Sequence, residues 1–150
     1  MNATMQKFDY PETLIREFEN WVVLLRPKQV TLGSLVLICK DKAASFSQIS
    51  PKAFSELKEI TTQLEATLTH CFAYDKINYL MLMMVDPDVH FHVLPRYARS
   101  QPFSGKIFHD PAFPGPPDLT KATETGSEIN HAIKERIQKS WELTTFRASE

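Results

Sequence analysis

The chain has 150 residues, of which 43% are hydrophobic, enough for one compact domain with a core. Its formal net charge is −1, so no overall basic field indicates binding to nucleic acid or to an acidic membrane surface. No apolar run approaches the length of about 18 residues that spans a membrane, and the first ten residues lack the apolar centre of a signal peptide, so we expect a cytoplasmic protein.

The N-terminal part of the chain predicts one short helix and two strands. Residues 1–10 predict an irregular lead-in. A short helix is expected over Pro11–Glu19, because the apolar residues of that segment are spaced for one helical face. Two apolar runs favour strands: Trp21–Leu25, which a proline follows closely, and Leu32–Lys40.

A long amphipathic helix is expected next. Ser50 is a typical N-cap residue, and Pro51 is favoured at the first helical position. Apolar residues then recur at steps of three and four over about 20 residues: Phe54, Leu57, Ile60, Leu64, Leu68 and Cys71. Such a stripe must pack against another element, here a sheet. Both cysteines, Cys39 and Cys71, lie in apolar surroundings, so we expect buried thiols and no disulfide.

The following segment predicts a pair of strands. Residues of Ile77–Val85 are apolar on both faces, which is typical of a strand in the middle of a sheet or of one that meets a partner subunit. Asp86-Pro87-Asp88 has turn chemistry. We therefore expect an antiparallel hairpin between Ile77–Val85 and Val89–Leu94.

The last third of the chain predicts an ordered arm and a helix. Five prolines between Ser100 and Leu119 exclude regular structure over most of that stretch. Thr125–Glu128 resembles a capping box, and apolar residues at steps of four predict a helix of about 15 residues: Ile129, Ile133, Ile137 and Trp141. We expect a single domain over residues 1–150, with a core of residues 16–97 and a C-terminal arm and helix over residues 98–150.

Two histidines on the second strand of the hairpin are the clearest chemical signal. Because side chains alternate along a strand, Asp88, His90 and His92 share one face, with successive members roughly 6.6 Å apart at the backbone. A neutral imidazole can attack phosphorus, and an acceptor on its other ring nitrogen fixes the tautomer. At Asp88, either the backbone carbonyl or the carboxylate can be that acceptor.

The motif His90-x-His92-x-Leu-Pro-Arg after an apolar strand resembles the signature of the histidine triad (HIT) superfamily of nucleotide hydrolases and transferases. Trp21–Cys39, followed by a helix and a strand, is similar to the same domain. The resemblance implies an α+β, HIT-like fold, with an antiparallel sheet of about five strands, one long helix, and a C-terminal arm and helix. It implies His90 as nucleophile and His92 as ligand of the phosphate or leaving group. Asp88 stands where the first histidine of the family motif belongs.

The same resemblance suggests a substrate and further residues. Arg26 becomes a wall of the nucleoside pocket, where family members often have asparagine, and Asp88 borders the substrate. His92 favours the hydrolase branches, since the transferase branches tend to have glutamine there. We expect hydrolysis of a dinucleoside polyphosphate, such as diadenosine tetraphosphate, or of an AMP conjugate by a homodimer. No cofactor is required, although magnesium can accompany the nucleotide.

Three other interpretations stay open. The histidines can belong to a metal site with Asp86 or Asp88 as third ligand, they can be purely structural, or the domain can bind nucleotides with little or no turnover. We expect no resident metal, no nucleic-acid partner and no membrane association.

Overall fold

A five-stranded antiparallel sheet carries helices on both of its faces in the computed structural model, which describes residues 1–148 and the side chains of residues 1–145. In chain order the elements are α1 (Ala3–Lys7), β1 (Leu14–Glu17), β2 (Trp21–Leu25), β3 (Leu35–Cys39), a 3-10 turn (Phe46–Gln48), α2 (Pro51–Cys71), β4 (Lys76–Leu80), β5 (His90–Arg96), β6 (Gln101–Phe103), β7 (Lys106–Phe108) and α3 (Ser127–Ala148).

The strand order in the main sheet is β1-β2-β3-β5-β4, and every neighbouring pair is antiparallel. Strands β6 and β7 form a separate two-stranded hairpin. Every residue of β2 and β3 is buried, because both faces of the sheet are covered there. The predicted α+β class with an antiparallel sheet of this size is confirmed.

Helices α2 and α3 cover one face of the sheet and pack against each other. The predicted start of α2 is confirmed, since the hydroxyl of Ser50 accepts a hydrogen bond from the backbone N–H of Ala53 at 3.1 Å. Six residues of the two predicted apolar stripes are buried: Ile60, Leu64, Leu68, Ile133, Ile137 and Trp141. Phe54 was expected in the same stripe, but 41% of its surface is exposed.

The short helix α1 covers the opposite face of the sheet. Its N-cap is Asn2, whose side chain accepts a hydrogen bond from the N–H of Met5 and donates one to the carbonyl of Cys39, each at 2.9 Å. Met5 and Phe8 pack against alternate residues of β2 and β3, which form a second apolar cluster: Val22, Leu24, Val36 and Ile38. This second face is the one that carries the two histidines.

Two predictions for the N-terminal segment are wrong. Residues 1–10 contain helix α1 instead of an irregular lead-in. The segment predicted as a helix, Pro11–Glu19, contains strand β1, which pairs with β2. The apolar spacing that suggested a helix instead buries the side chain of Ile15 in a strand at the edge of the sheet. Pairing with the buried strand β2 satisfies the backbone hydrogen bonds of this segment.

The predicted strand Ile77–Val85 is too long, and it does not lie in the middle of the sheet, which was the first of its two expected places. Strand β4 covers Lys76–Leu80 and lies at the edge, with β5 as its partner in the main sheet. The two strands are antiparallel as expected, but residues 81–89 form a broad connection instead of a tight turn. Its side chains Leu82, Met84 and Val85 are exposed, so apolar character in this segment did not mean burial in the sheet.

A buried ion pair fixes the arm after β5. The guanidinium of Arg96 donates to both carboxylate oxygens of Asp110, at 2.7 and 3.1 Å, and also to Asn78 and to the carbonyl of Gly115. The C-terminal helix is longer than predicted, with 22 residues. Cys39 is buried, Cys71 is half-buried, and both thiols are free. None of the described helices is long and apolar enough to cross a membrane.

Candidate active site

His90 and His92 lie side by side on β5, on the face of the sheet that α1 covers. Their ring centroids are 5.2 Å apart and the rings are nearly perpendicular, at 84°. Phe8 contacts both, with centroid distances of 6.5 Å to His90 and 5.9 Å to His92. Only 2% of His90 and 6% of His92 is exposed, so both rings are held in a largely apolar frame.

The backbone fixes the orientation of the His90 ring. Its Nδ1 lies 2.6 Å from the backbone carbonyl oxygen of Asp88. A carbonyl oxygen only accepts hydrogen bonds, so Nδ1 must carry the proton. In the neutral ring, Nε2 therefore keeps its lone pair and is available as a nucleophile.

The carboxylate of Asp88 has a different partner. One of its oxygens accepts hydrogen bonds from the N–H of Thr4, at 3.1 Å, and from the hydroxyl of Thr4, at 2.9 Å. The N–H of Asp88 donates in turn to that hydroxyl, at 3.3 Å. Asp88 thus links helix α1 to the histidine strand, and its carboxylate is turned towards Thr4. This arrangement is the one expected if Asp88 orients the His90 ring through its backbone carbonyl and not through its carboxylate.

A cavity of about 510 Å³ opens in front of the two histidines. Cationic, acidic, apolar and hydroxyl side chains line it together with the histidines: Lys7, Phe8, Asp9, Arg26, Pro27, Lys28, Leu82, Met83, Met84, Val85, Asp86, Leu119 and Thr120. This volume suits one small organic ligand. The structure thus brings Arg26, His90 and His92 to one cavity, and Asp88 does not line it. A neighbouring cavity of about 790 Å³ contains neither histidine of the pair.

The charged groups around the cavity differ in how they are compensated. Lys7 forms an ion pair with Asp86 at 2.7 Å.

Burial, together with the charges of His90 and Arg26, lowers the pKa of His92 to about 4. His92 is therefore neutral at physiological pH and can donate one hydrogen bond. Burial also lowers the pKa of Arg26.

The metal interpretation needs a third ligand beside the histidines. Its two candidates are engaged elsewhere, Asp86 with Lys7 and Asp88 with Thr4. Within residues 1–148, no three histidine, cysteine, aspartate or glutamate side chains are grouped as metal ligands would be.

Sequence reasoning missed two walls of the cavity. Lys7 and Phe8 come from the N-terminal segment, and the exposed apolar residues come from the connection between β4 and β5. One signal was present for the first wall, since Asn2 is a good N-cap residue and Met5 and Phe8 are spaced for one helical face. No local signal distinguishes an exposed apolar loop from a continuing strand.

Comparisons with known proteins give one domain family and one fold. The HIT domain family model matches residues 7–99. No curated protein sequence matches the chain. Among solved structures, a histidine triad protein from Sinorhizobium meliloti 1021 is 19% identical, covers 93% of this chain and 95% of its own, and has a TM-score of 0.73.

Two further solved structures have the same fold. A histidine triad protein from Marinobacter aquaeolei VT8 is 19% identical, with coverage of 95% of this chain and 96% of its own and a TM-score of 0.73. A hypothetical histidine triad nucleotide-binding protein from Sulfolobus tokodaii strain7 is 17% identical, with coverage of 87% and 83% and a TM-score of 0.66. At these identities the similarity shows the fold.

Proposed function

The chain belongs to the HIT domain family, and on this premise we propose that it hydrolyses a phosphoanhydride or phosphoramidate bond of a nucleotide through a nucleotidyl group carried on His90. The observation that supports this most is the hydrogen bond from Nδ1 of His90 to the carbonyl of Asp88. It leaves the lone pair of Nε2 free in the neutral ring, which is what a nucleophilic histidine needs.

The reaction has two steps. In the first, Nε2 of His90 forms a bond to phosphorus while the bond from phosphorus to the leaving group breaks, and the leaving group departs with that electron pair. In the second, water attacks the same phosphorus, the N–P bond breaks, and the nucleoside monophosphate is released. Two lower barriers thus replace one high barrier.

His92 is placed to assist without carrying charge. Because its pKa is held at about 4, the ring is neutral near pH 7 and presents one N–H. That N–H can donate to a phosphate oxygen or to the leaving group. Arg26 and Lys28, which line the same cavity, favour an anionic ligand through their positive charge.

The preferred substrates are dinucleoside polyphosphates such as diadenosine tetraphosphate, or AMP conjugates. A panel of diadenosine polyphosphates, adenosine phosphoramidate and AMP-lysine, with and without magnesium, tests this by the release of AMP. Turnover of at least one substrate supports the proposal. Tight binding of the panel without AMP release would identify a nucleotide-binding module instead, and neither binding nor release would remove the nucleotide assignment.

A further inference from the structure

Arg26 is a buried cation with no anionic partner in the described part of the chain. Only 9% of its surface is exposed. Its Nη1 donates to the carbonyl of Lys28 at 2.7 Å, and its Nε has no hydrogen-bond partner among the described residues. The ion pairs of residues 1–145 do not include Arg26. Burying a charge without a counter-charge is costly, so this arrangement indicates an anion supplied from outside.

The sheet register separates the backbone of Arg26 from that of His90. Strand β2 is separated from β5 by β3, and Leu24 is level with Val36 and His92. Arg26 is two residues further along, where its N–H donates to Ser34 at 3.0 Å. Its backbone is therefore about 10 Å across the sheet and about 13 Å along it from that of His90.

The hydrogen bond to Lys28 fixes one end of the guanidinium. Because Nη1 is engaged by a carbonyl beyond the end of β2, Nε is left as a buried donor with no acceptor among the described residues. Lys28 also lines the cavity, so its wall carries a further cation. Two acids line the cavity, and neither compensates Arg26: Asp86 pairs with Lys7, and Asp9 forms no ion pair with Arg26.

We propose that Arg26 binds a second phosphate group of the nucleotide, separate from the phosphate that His90 attacks. This inference rests on the proposed function, since it assigns a further part of the same ligand. A guanidinium presents planar, parallel N–H donors that match phosphate oxygens, and the unpartnered Nε is a donor of this kind. Burial strengthens such a charge-assisted contact by excluding water.

The second phosphate has two possible sources in a nucleotide. It can be the next phosphate of a 5′-polyphosphate chain, or a phosphate on the 2′- or 3′-oxygen of the ribose. Both present the same chemistry to Arg26, but they lie on different sides of the reacting phosphate. Matched nucleotides distinguish them: the 5′-monophosphate, the 5′-diphosphate and the 3′,5′- and 2′,5′-bisphosphates of adenosine and of guanosine.

The test is calorimetric binding of these nucleotides to the whole wild-type chain and to three variants. Arg26→Gln removes the charge, and Arg26→Lys keeps the charge but loses the planar donors. Arg99→Gln removes a matched arginine that is exposed and does not line the cavity. Denaturant unfolding of each variant shows whether it is folded.

We expect the wild type and Arg99→Gln to bind one class of doubly phosphorylated nucleotide at least about tenfold more tightly than the monophosphate. Arg26→Gln should lose this preference, because it should weaken the doubly phosphorylated nucleotides at least about tenfold more than the monophosphate. Arg26→Lys should keep part of the preference. The class that is preferred identifies the source of the phosphate.

Equal affinity of the wild type for the monophosphate and all doubly phosphorylated nucleotides would overturn this inference and leave the proposed function intact. The same conclusion follows if Arg26→Gln weakens every nucleotide equally. Should no nucleotide bind the wild type, both the inference and the proposed function are wrong. If Arg26→Gln does not fold, Arg26→Lys decides the question: an unchanged preference in that variant would overturn the assignment to Arg26, and a reduced preference supports it.

Discussion

Nδ1 of His90 lies 2.6 Å from the backbone carbonyl oxygen of Asp88, so the main chain, and not a side chain, orients the ring. Asp88 is the position at which we expect the chain to depart from the triad motif. The departure leaves this hydrogen bond unaffected, because any residue at position 88 provides the same carbonyl.

Asp88→Asn should therefore remain active. The amide oxygen of asparagine can still accept hydrogen bonds from Thr4, and the carbonyl that orients His90 is unchanged. We expect kcat/KM within roughly tenfold of the wild type, about 1.4 kcal/mol in barrier, with an unchanged pH–rate profile. Loss of turnover, or a shift of the profile by a full pH unit, would show that the carboxylate itself takes part in the reaction.

The link between Thr4 and Asp88 should contribute to stability. Thr4 is 1% exposed, and its hydroxyl both donates to and accepts from Asp88. Thr4→Val keeps the shape but removes these bonds, so we expect the free energy of unfolding to fall by about 1–3 kcal/mol in denaturant titrations.

Two further variants make this measurement specific. In an Asp88→Ala background, Thr4→Val should cost clearly less, because the carboxylate that accepts from the hydroxyl is already missing and only the bond from the backbone N–H of residue 88 is left to lose. Thr62→Val, at an exposed position of α2, is the matched control and should change stability little. A similar loss from Thr4→Val in both backgrounds would mean that the link with Asp88 is not its cause.

The stability of the protein should fall with pH because of His92. Its pKa is about 4 in the folded chain against an ordinary value of 6.5, so between these values the unfolded chain binds a proton that the folded chain does not. The free energy of unfolding therefore decreases as pH falls through this window. From about pH 7 to about pH 5 the contribution of His92 is about 2 kcal/mol.

His92→Asn tests the origin of that slope. Asparagine does not titrate, so the variant should lose about 2 kcal/mol less than the wild type between the same two pH values. The comparison uses the difference between the two slopes, which cancels the contribution of the carboxylates. Identical slopes would show that the folded His92 titrates near its ordinary pKa.

The parts of the fold that sequence predicted are those with local causes. The start of α2 depends on Ser50 and Pro51, which act within one turn, and β2 is a buried apolar run whose pattern does not need its partner to be known. Strand β1 and helix α1 were missed because both are decided by distant contacts. Strand β1 exists through pairing with β2, and α1 is held by the carboxylate of Asp88.

The residues of the site also fall into those with local causes and those that depend on distant contacts. The two histidines could be found because alternation on one strand places them on one face. Phe8 and the role of the Asp88 carboxylate could not, since Phe8 reaches the histidines across the fold. The environment of Arg26 was equally hidden, because the segments that line its cavity meet only in the folded chain.

The homodimer remains a prediction with physical support. Strand β4 is an edge strand, whose outer backbone groups are open to pairing, and the adjacent connection exposes Leu82, Met84 and Val85. We expect light scattering to give twice the chain mass of 17.2 kDa, with dissociation on dilution as mass action requires. A mass of one chain at all concentrations would contradict this prediction.

The central claim is that His90 is the nucleophile, and its replacement by asparagine tests this most directly. With the substrate that the wild type turns over, His90→Asn should bind the nucleotide with similar affinity and release AMP several orders of magnitude more slowly. His92→Ala should lose less, and His109→Asn, at an exposed histidine outside this cavity, should match the wild type. Near-normal AMP release by His90→Asn would contradict the account.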